Sequence, residues 1–169
     1  VMLFYPQLWA IIIYRIGHAI DGINSRFFYN LYVYLLWNPI RLLTSIEIWP
    51  QATIGINLFI GHFGNMIIEP NVIIGNNCIL SGWCYIGSGL DDHNNPVLED
   101  GVKVALGATI IGDVRVGENS IIGAKSLVLT SIPANVVVVG NPARVIRKAD
   151  SSKISPMFKF FMGKVNNHG

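Results

Sequence analysis

Charge is scarce in this chain. Only 13% of its 169 residues are Asp, Glu, Lys or Arg, and the formal net charge is +2. So small an excess, with no basic run interleaved with aromatics ahead of the tail, excludes nucleic acid as the expected partner. Cysteine is scarcer still: Cys78 and Cys84 are the whole supply. They stand six apart, in equivalent places of a repeat described below, and are expected to be inert core thiols on different walls of the fold, in a reducing compartment. Long apolar runs are also missing. Pro6, Gln7, Arg15 and His18 interrupt residues 1–20, and the apolar stretch 27–37 is eleven residues long, short of the roughly 20 that span a bilayer. No small-residue cleavage pattern follows, so a signal peptide is not expected. The chain opens on Val1 and not on Met, which leaves room for residues upstream. The expected location is the cytoplasm, with peripheral contact to the inner membrane face as an option for the amino-terminal helices.

What the chain has instead is a six-residue beat. Counted from Ile68, the stops are Ile74, Leu80, Ile86, Asp92, Leu98, Val104, Ile110, Val116, Ile122 and Val128, all branched aliphatics except Asp92. Four places after each stop comes a second inward-type residue, such as Val72, Cys78, Cys84, Val102, Ala108, Ser120 or Ser126. A short period sustained this far marks a solenoid. Six residues are too few for a helical turn and return, so each repeat is a short strand plus a turn, and the chain is all-β: a parallel β-helix. Ile48, Ile54 and Ile60 begin the same beat.

The beat departs from itself twice. Eight residues, not six, separate Ile60 from Ile68, with the surplus in His62-Phe63-Gly64-Asn65. Ser88 to Asn95 forms the second departure, where Asp91-Asp92-His93-Asn94-Asn95-Pro96 reads as an exposed loop. Departures from a strict register are where a solenoid pushes side chains out of line, and function concentrates in them.

Ahead of the solenoid, Leu8, Ile11, Ile12, Ile16, Ala19 and Ile20 keep helical spacing, with Pro6 in the first turn. Phe27, Phe28, Leu31, Leu35 and Leu36 mark a second helix, which Asn38-Pro39 breaks or kinks. The expected organisation is a helical segment 1–46, a β-helix domain 47–147 and a tail 148–169 with a short helix near Phe158.

Glu47-Ile48-Trp49-Pro50, Ile60-Gly61-His62, Pro96-Val97-Leu98 and Gly140-Asn141-Pro142-Ala143-Arg144 follow one another in the order and spacing of the serine O-acetyltransferases. The chain resembles those hexapeptide-repeat acyltransferases over residues 5–147, and more closely the related O-acetyltransferases of capsule and lipopolysaccharide gene clusters. Tyr5-Pro6 and Tyr14-Arg15-Ile16-Gly17-His18 are similar to the family's last amino-terminal helices. The resemblance implies a left-handed winding with three hexads per coil; general crossover rules alone would favour the opposite hand. It also implies acetyl-CoA as the acetyl donor and a homotrimer whose cofactor grooves are completed by neighbours.

His62 is the candidate general base. O-acetyl transfer needs a group to take the hydroxyl proton as oxygen attacks the thioester, and imidazole is the side chain most often used. His62 lies at the register slip and at the position of the family's catalytic histidine. Glu47 stands fifteen residues earlier, three short of one coil, so it is expected close beneath His62 and able to hold one ring nitrogen. The resemblance places the cofactor along Gly87, Ser88, Ala105, Leu106, Gly123, Ala124 and Lys125, with Arg144, Arg147 and Lys148 toward its phosphates. For the acceptor the candidates are His93, Asn94, Asn95 and the flat indole of Trp83. Serine enzymes carry an Arg-His pair where this chain has Asn94 and Asn95. Without that guanidinium the expected acceptor is a hydroxyl of a sugar or glycan intermediate in surface polysaccharide biosynthesis, and serine, as in cysteine biosynthesis, is the alternative. A non-catalytic β-helix assembly module is a further alternative. A β-helix carbonic anhydrase would need three histidine ligands, and the chain has only His18, His62, His93 and His168 with no close pair, so no metal is expected.

Overall fold

The computed structural model describes residues 5–23, 25–62, 64–89 and 94–150. Residues 46–140 wind into a three-walled prism. Wall A holds β1 (Ile46–Ile48), β4 (Met66–Ile68), β7 (Tyr85–Gly87), β10 (Thr109–Ile111) and β13 (Leu127–Val128). Wall B holds β2 (Thr53–Ile54), β5 (Ile73–Ile74), β8 (Val97–Leu98) and β11 (Arg115–Val116). Wall C holds β3 (Phe59–Ile60), β6 (Ile79–Leu80), β9 (Lys103–Val104), β12 (Ile121–Ile122) and β14 (Val136–Gly140). Every one of these neighbours pairs in parallel, and only the last strand, β15 (Ala143–Lys148), returns antiparallel on β14.

The hexad beat is the stacking of the core. Ile48, Ile68, Ile86, Ile110 and Val128 lie in one column on wall A. Ile54, Ile74, Leu98 and Val116 stack on wall B, and Ile60, Leu80, Val104, Ile122 and Val138 on wall C. All are buried, together with the second inward set of Met66, Val72, Cys78, Cys84, Val102 and Ala108. Strand side chains alternate between faces, so positions two apart point inward together while the residue between them faces out. Ser120 and Ser126 are the polar members of this core. Ser120 Oγ donates to Pro133 O at 2.7 Å, and Ser126 Oγ accepts from Gly140 N at 3.2 Å, so neither hydroxyl is left unpaired. The cysteines sit on walls C and A as expected. Burial pushes each thiol up to about 11.

A solenoid's first coil exposes unpaired backbone, and here the amino-terminal helices cover it. They are α1 (Pro6–Asp21), α2 (Arg26–Tyr32) and α3 (Asn38–Thr44), the last two joined by a π turn over Val33–Trp37. Pro39 therefore does not end the second helix, which passes through the wider turn into α3 with the proline in that helix's first turn. Tyr14 Oη donates to Ala52 O at 2.8 Å and accepts from Ile54 N at 3.2 Å. Arg15 reaches the carbonyls of Ile54 (2.6 Å) and Gly55, His18 Nδ1 pairs with Pro50 O at 2.7 Å, and Trp37 Nε1 donates to Ile48 O at 3.0 Å. Four side chains thus satisfy the prism's lower edge, which would otherwise be an open template for pairing. Among the described residues no helix is long and apolar enough to cross a membrane.

Candidate functional site

Each corner of the prism needs a residue in the left-handed region. At the corner between walls B and C these are Asn57, Asn77, Gly101, Asn119 and Asn135, the types that tolerate it. The corner between walls C and A is different. Its left-handed positions are Gly64 (φ 111°), Trp83 (65°), Gly107 (70°) and Lys125 (56°). Backbone bonds tie these turns into a column: Trp83 N donates to Gly64 O (3.4 Å), Gly107 N to Gly82 O (3.1 Å) and Lys125 N to Leu106 O (2.9 Å).

His62 stands at the foot of this column, exposed, where the eight-residue interval widens the turn between β3 and β4. Above it come Trp83, then Ala105 and Leu106, then Gly123, Ala124 and Lys125. The turn from Gly140 to Ala143 closes the top, anchored by the Gly140 bond to Ser126, and leads into Arg144 on β15. Arg144 is exposed, with Nη1 on the carbonyl of Ala143 at 2.9 Å. Five of the seven residues expected along the cofactor therefore share one edge with His62, and Arg144 crowns it.

Glu47 lies on β1, opposite Ile67, one coil below the wall that begins at the His62 corner. Its carboxylate is already held. Oε2 accepts from Arg41 Nη1 at 3.1 Å and Oε1 from Trp49 Nε1 at 2.9 Å. Arg41 in turn stacks over the Trp37 ring at 4.8 Å. Among the described residues, Glu47 and His62 share no hydrogen bond or ion pair, so one protomer brings the two to neighbouring coils without joining them.

The remaining expected residues stand elsewhere. Gly87 ends β7 and Ser88 follows it, at the corner between walls A and B. Asn94 (exposed) and Asn95 (half-buried) return to that same corner just before β8. His93 lies outside the described residues. Ser88 serves a clasp that periodicity did not reveal: its N–H and Oγ both donate to Glu69 Oε2 at 2.8 Å, while Tyr85 Oη donates to Glu69 Oε1 at 2.5 Å. Burial works to raise the Glu69 carboxyl, but the bonds from Tyr85 and Ser88 outweigh it and hold it below the usual range. Burial and the same carboxylate push the Tyr85 phenol up to about 12. Gly87 makes room for the clasp, since a Cβ there would lie 2.5 Å from Glu69 Cδ. The available signal was Glu69 and Tyr85 sixteen apart, near one coil, in slots between inward residues.

A hexad β-helix with an exposed histidine at a widened corner, small residues stacked above it and basic residues at its head defines the hexapeptide-repeat acyltransferase class. No family model matches the chain. The serine acetyltransferase of Bacillus subtilis (strain 168) is 40% identical over 148 residues, 86% of this chain and 66% of the relative. That of Helicobacter pylori is 35% identical over 150 residues, 88% of this chain and 85% of the relative. Among solved structures, serine acetyltransferase in complex with coenzyme A from Brucella abortus strain S19 superposes with a TM-score of 0.77 at 28% identity, over 83% of this chain and 56% of that one. The chain belongs to the serine acetyltransferase family of hexapeptide-repeat proteins. It spans 60% of the Synechococcus elongatus relative and 66% of the Bacillus subtilis one. The superposition bears out the left-handed β-helix behind short helices. These similarities give no support to the narrower resemblance to capsule and lipopolysaccharide acetyltransferases.

Proposed function

We propose that this chain transfers an acetyl group from acetyl-CoA to a hydroxyl, with His62 as general base. The carrying observation is the C–A edge, where an exposed imidazole stands below a run of small residues that ends at Lys125 and Arg144. Small side chains let an extended pantetheine arm lie against backbone, and cations at the far end suit its phosphates. A similar solved structure is a serine acetyltransferase in complex with CoA (30% identity, TM-score 0.76), which supports the donor. In the reaction the acceptor oxygen bonds to the acetyl carbon while its proton passes to His62. The carbon–sulfur bond breaks, and the departing thiolate takes a proton back.

The acceptor that the relatives support best is the hydroxyl of serine, which places the step in cysteine biosynthesis and displaces the sugar acceptor as first reading. A sugar hydroxyl stands second on one observation. Arg15 spends its guanidinium on backbone carbonyls, Arg41 on Glu47 and Arg115 on Glu99, and Asn94 and Asn95 are neutral. None of these five offers the fork that best grips an amino-acid carboxylate. We also propose a homotrimer. His62 and the Asn94–Asn95 pair lie at opposite edges of wall A, and a neighbouring prism would bring one protomer's A–B edge beside another's C–A edge.

The test is CoA thiol release by the full chain with acetyl-CoA and either L-serine, nucleotide sugars or short glycans. Serine is expected to lead in kcat/KM. A wide lead for a sugar overturns the serine reading, and no release with any acceptor overturns acetyl transfer itself.

A further inference from the structure

Trp83 departs from the Asn and Gly pattern of the B–C corner, as Lys125 does two coils above it, but with a far larger side chain. A bulky side chain at φ 65° is an outlier, and such strain persists where the surroundings impose it, most often at functional sites. The fold gives little in return. Trp83 is 59% exposed, and among the described residues its Nε1 has no hydrogen-bond acceptor. Its position is nonetheless specific. The indole lies across Gly64, where an added Cβ would sit 3.3 Å from Nε1 and 3.5 Å from Cε2. Gly64 is two residues past His62, and itself holds φ 111°. The positive φ favours glycine at this point, and the missing Cβ lets the ring lie against the histidine's turn without having to shift.

We propose, resting on the donor path along the C–A edge, that Trp83 is a specificity-determining residue that limits the acyl group to acetyl. On that edge it stands one coil above the turn of His62 and one below Leu106. A thioester whose pantetheine arm descends past Lys125 and Leu106 brings its acyl end to the indole just before reaching the imidazole. While the hydroxyl oxygen bonds to the acyl carbon and the sulfur leaves, the remainder of the acyl chain must find room beside the reacting carbon. A methyl group needs little. Each added methylene must enter space that the indole fills, and a mismatch of one methylene is worth roughly 10- to 200-fold in discrimination.

Two variants test this. Trp83→Gly keeps a residue that accepts φ 65° while emptying the space, and Trp83→Phe empties it in part. The measurements are kcat/KM with acetyl-, propionyl- and butyryl-CoA at fixed serine, binding of each acyl-CoA by calorimetry, and assembly mass by sedimentation. The butyryl-to-acetyl ratio of kcat/KM is expected to rise about tenfold or more in Trp83→Gly, and by less in Trp83→Phe. Normal acetyl transfer with an unchanged ratio in both variants removes this role and leaves the proposed function standing. A variant whose only change is a smaller assembly also overturns it, making Trp83 an interface residue. If the unaltered protein binds no acyl-CoA, the donor path fails and the role of Trp83 with it.

Discussion

Removing one oxygen atom from α1 should weaken the whole lower end of the prism. Tyr14→Phe keeps the ring, which is buried with only 1% of its surface exposed, and deletes the hydroxyl that bridges Ala52 O and Ile54 N. Both partners belong to buried residues of the first coil, which has no coil beneath it to supply replacements. Packing is unchanged, so the cost is that of leaving a donor and an acceptor unsatisfied, about 1–3 kcal/mol in total. For a chain of this size each kcal/mol moves the midpoint by roughly 2–4 °C, giving a fall of about 2–12 °C. Thermal melts followed by circular dichroism, at one protein concentration so that assembly does not shift the baseline, measure it. Tyr34→Phe is the control, because Tyr34 is 76% exposed and its change should stay within about 0.5 kcal/mol. A Tyr14→Phe midpoint equal to that of the control would refute the view that side chains of α1 complete the first coil.

His62→Ala should lower turnover by about 10²- to 10⁴-fold with CoA affinity little changed, and Glu47→Gln by less; equal turnover under chemistry-limited conditions counts against the base. The Glu69 carboxyl is held low in the fold, so its contribution is present above the ordinary carboxylate range and is lost as pH falls through the depressed folded value. Glu69→Gln should therefore destabilise at neutral pH, with the gap to the unaltered protein closing in acid; denaturant titrations at pH 7 and near pH 3 compare the two. Cys78 and Cys84, buried and pushed up to about 11, should react with a thiol reagent at pH 7.5 about two orders of magnitude more slowly than an exposed thiol, and promptly once unfolded.

The prism was legible in the sequence because its physics repeats. Every coil must present the same small set of inward side chains to the coil below, so Ile68, Leu80, Ile86, Val104 and Ile122 keep their spacing. The means by which the helices cover the first coil was not legible. Tyr14, Arg15 and His18 act through polar tips that meet backbone 32 to 40 residues away, and nothing local marks a helix residue for such a partner. The helical spacing of Leu8, Ile11 and Ile12 showed that α1 exists and has an apolar face. It could not show that attachments to the first coil come from Tyr14, Arg15 and His18, which are not part of that apolar set. The disturbance near Pro39 was half legible: proline implies a broken or kinked helix, while the π turn over Val33–Trp37 just before it has no mark in the sequence.

At the candidate site the periodicity marks one departure and conceals another. The slip between Ile60 and Ile68 draws attention to His62, because a surplus of two residues cannot hide in a six-residue beat. The later insertion can, since it amounts to six. Ile86, Asp92 and Leu98 stay in step, yet β7 on wall A passes directly to β8 on wall B, and Leu98 stacks on Ile74 twenty-four residues earlier rather than eighteen. The hexad around Asp92 contributes no wall among the described residues. Counting back eighteen from Ala105 therefore arrives at Gly87, on the A–B corner, where it faces Glu69. Counting back the true interval arrives at Ser81, whose N–H meets the carbonyl of Val104, and so at Gly82 and Trp83 beside it. The residue at the second turn of the His62 edge is thus Trp83. The sequence offers its indole as a platform for the acceptor, and the proposed donor path along this edge gives the same indole a second role, beside the acyl group.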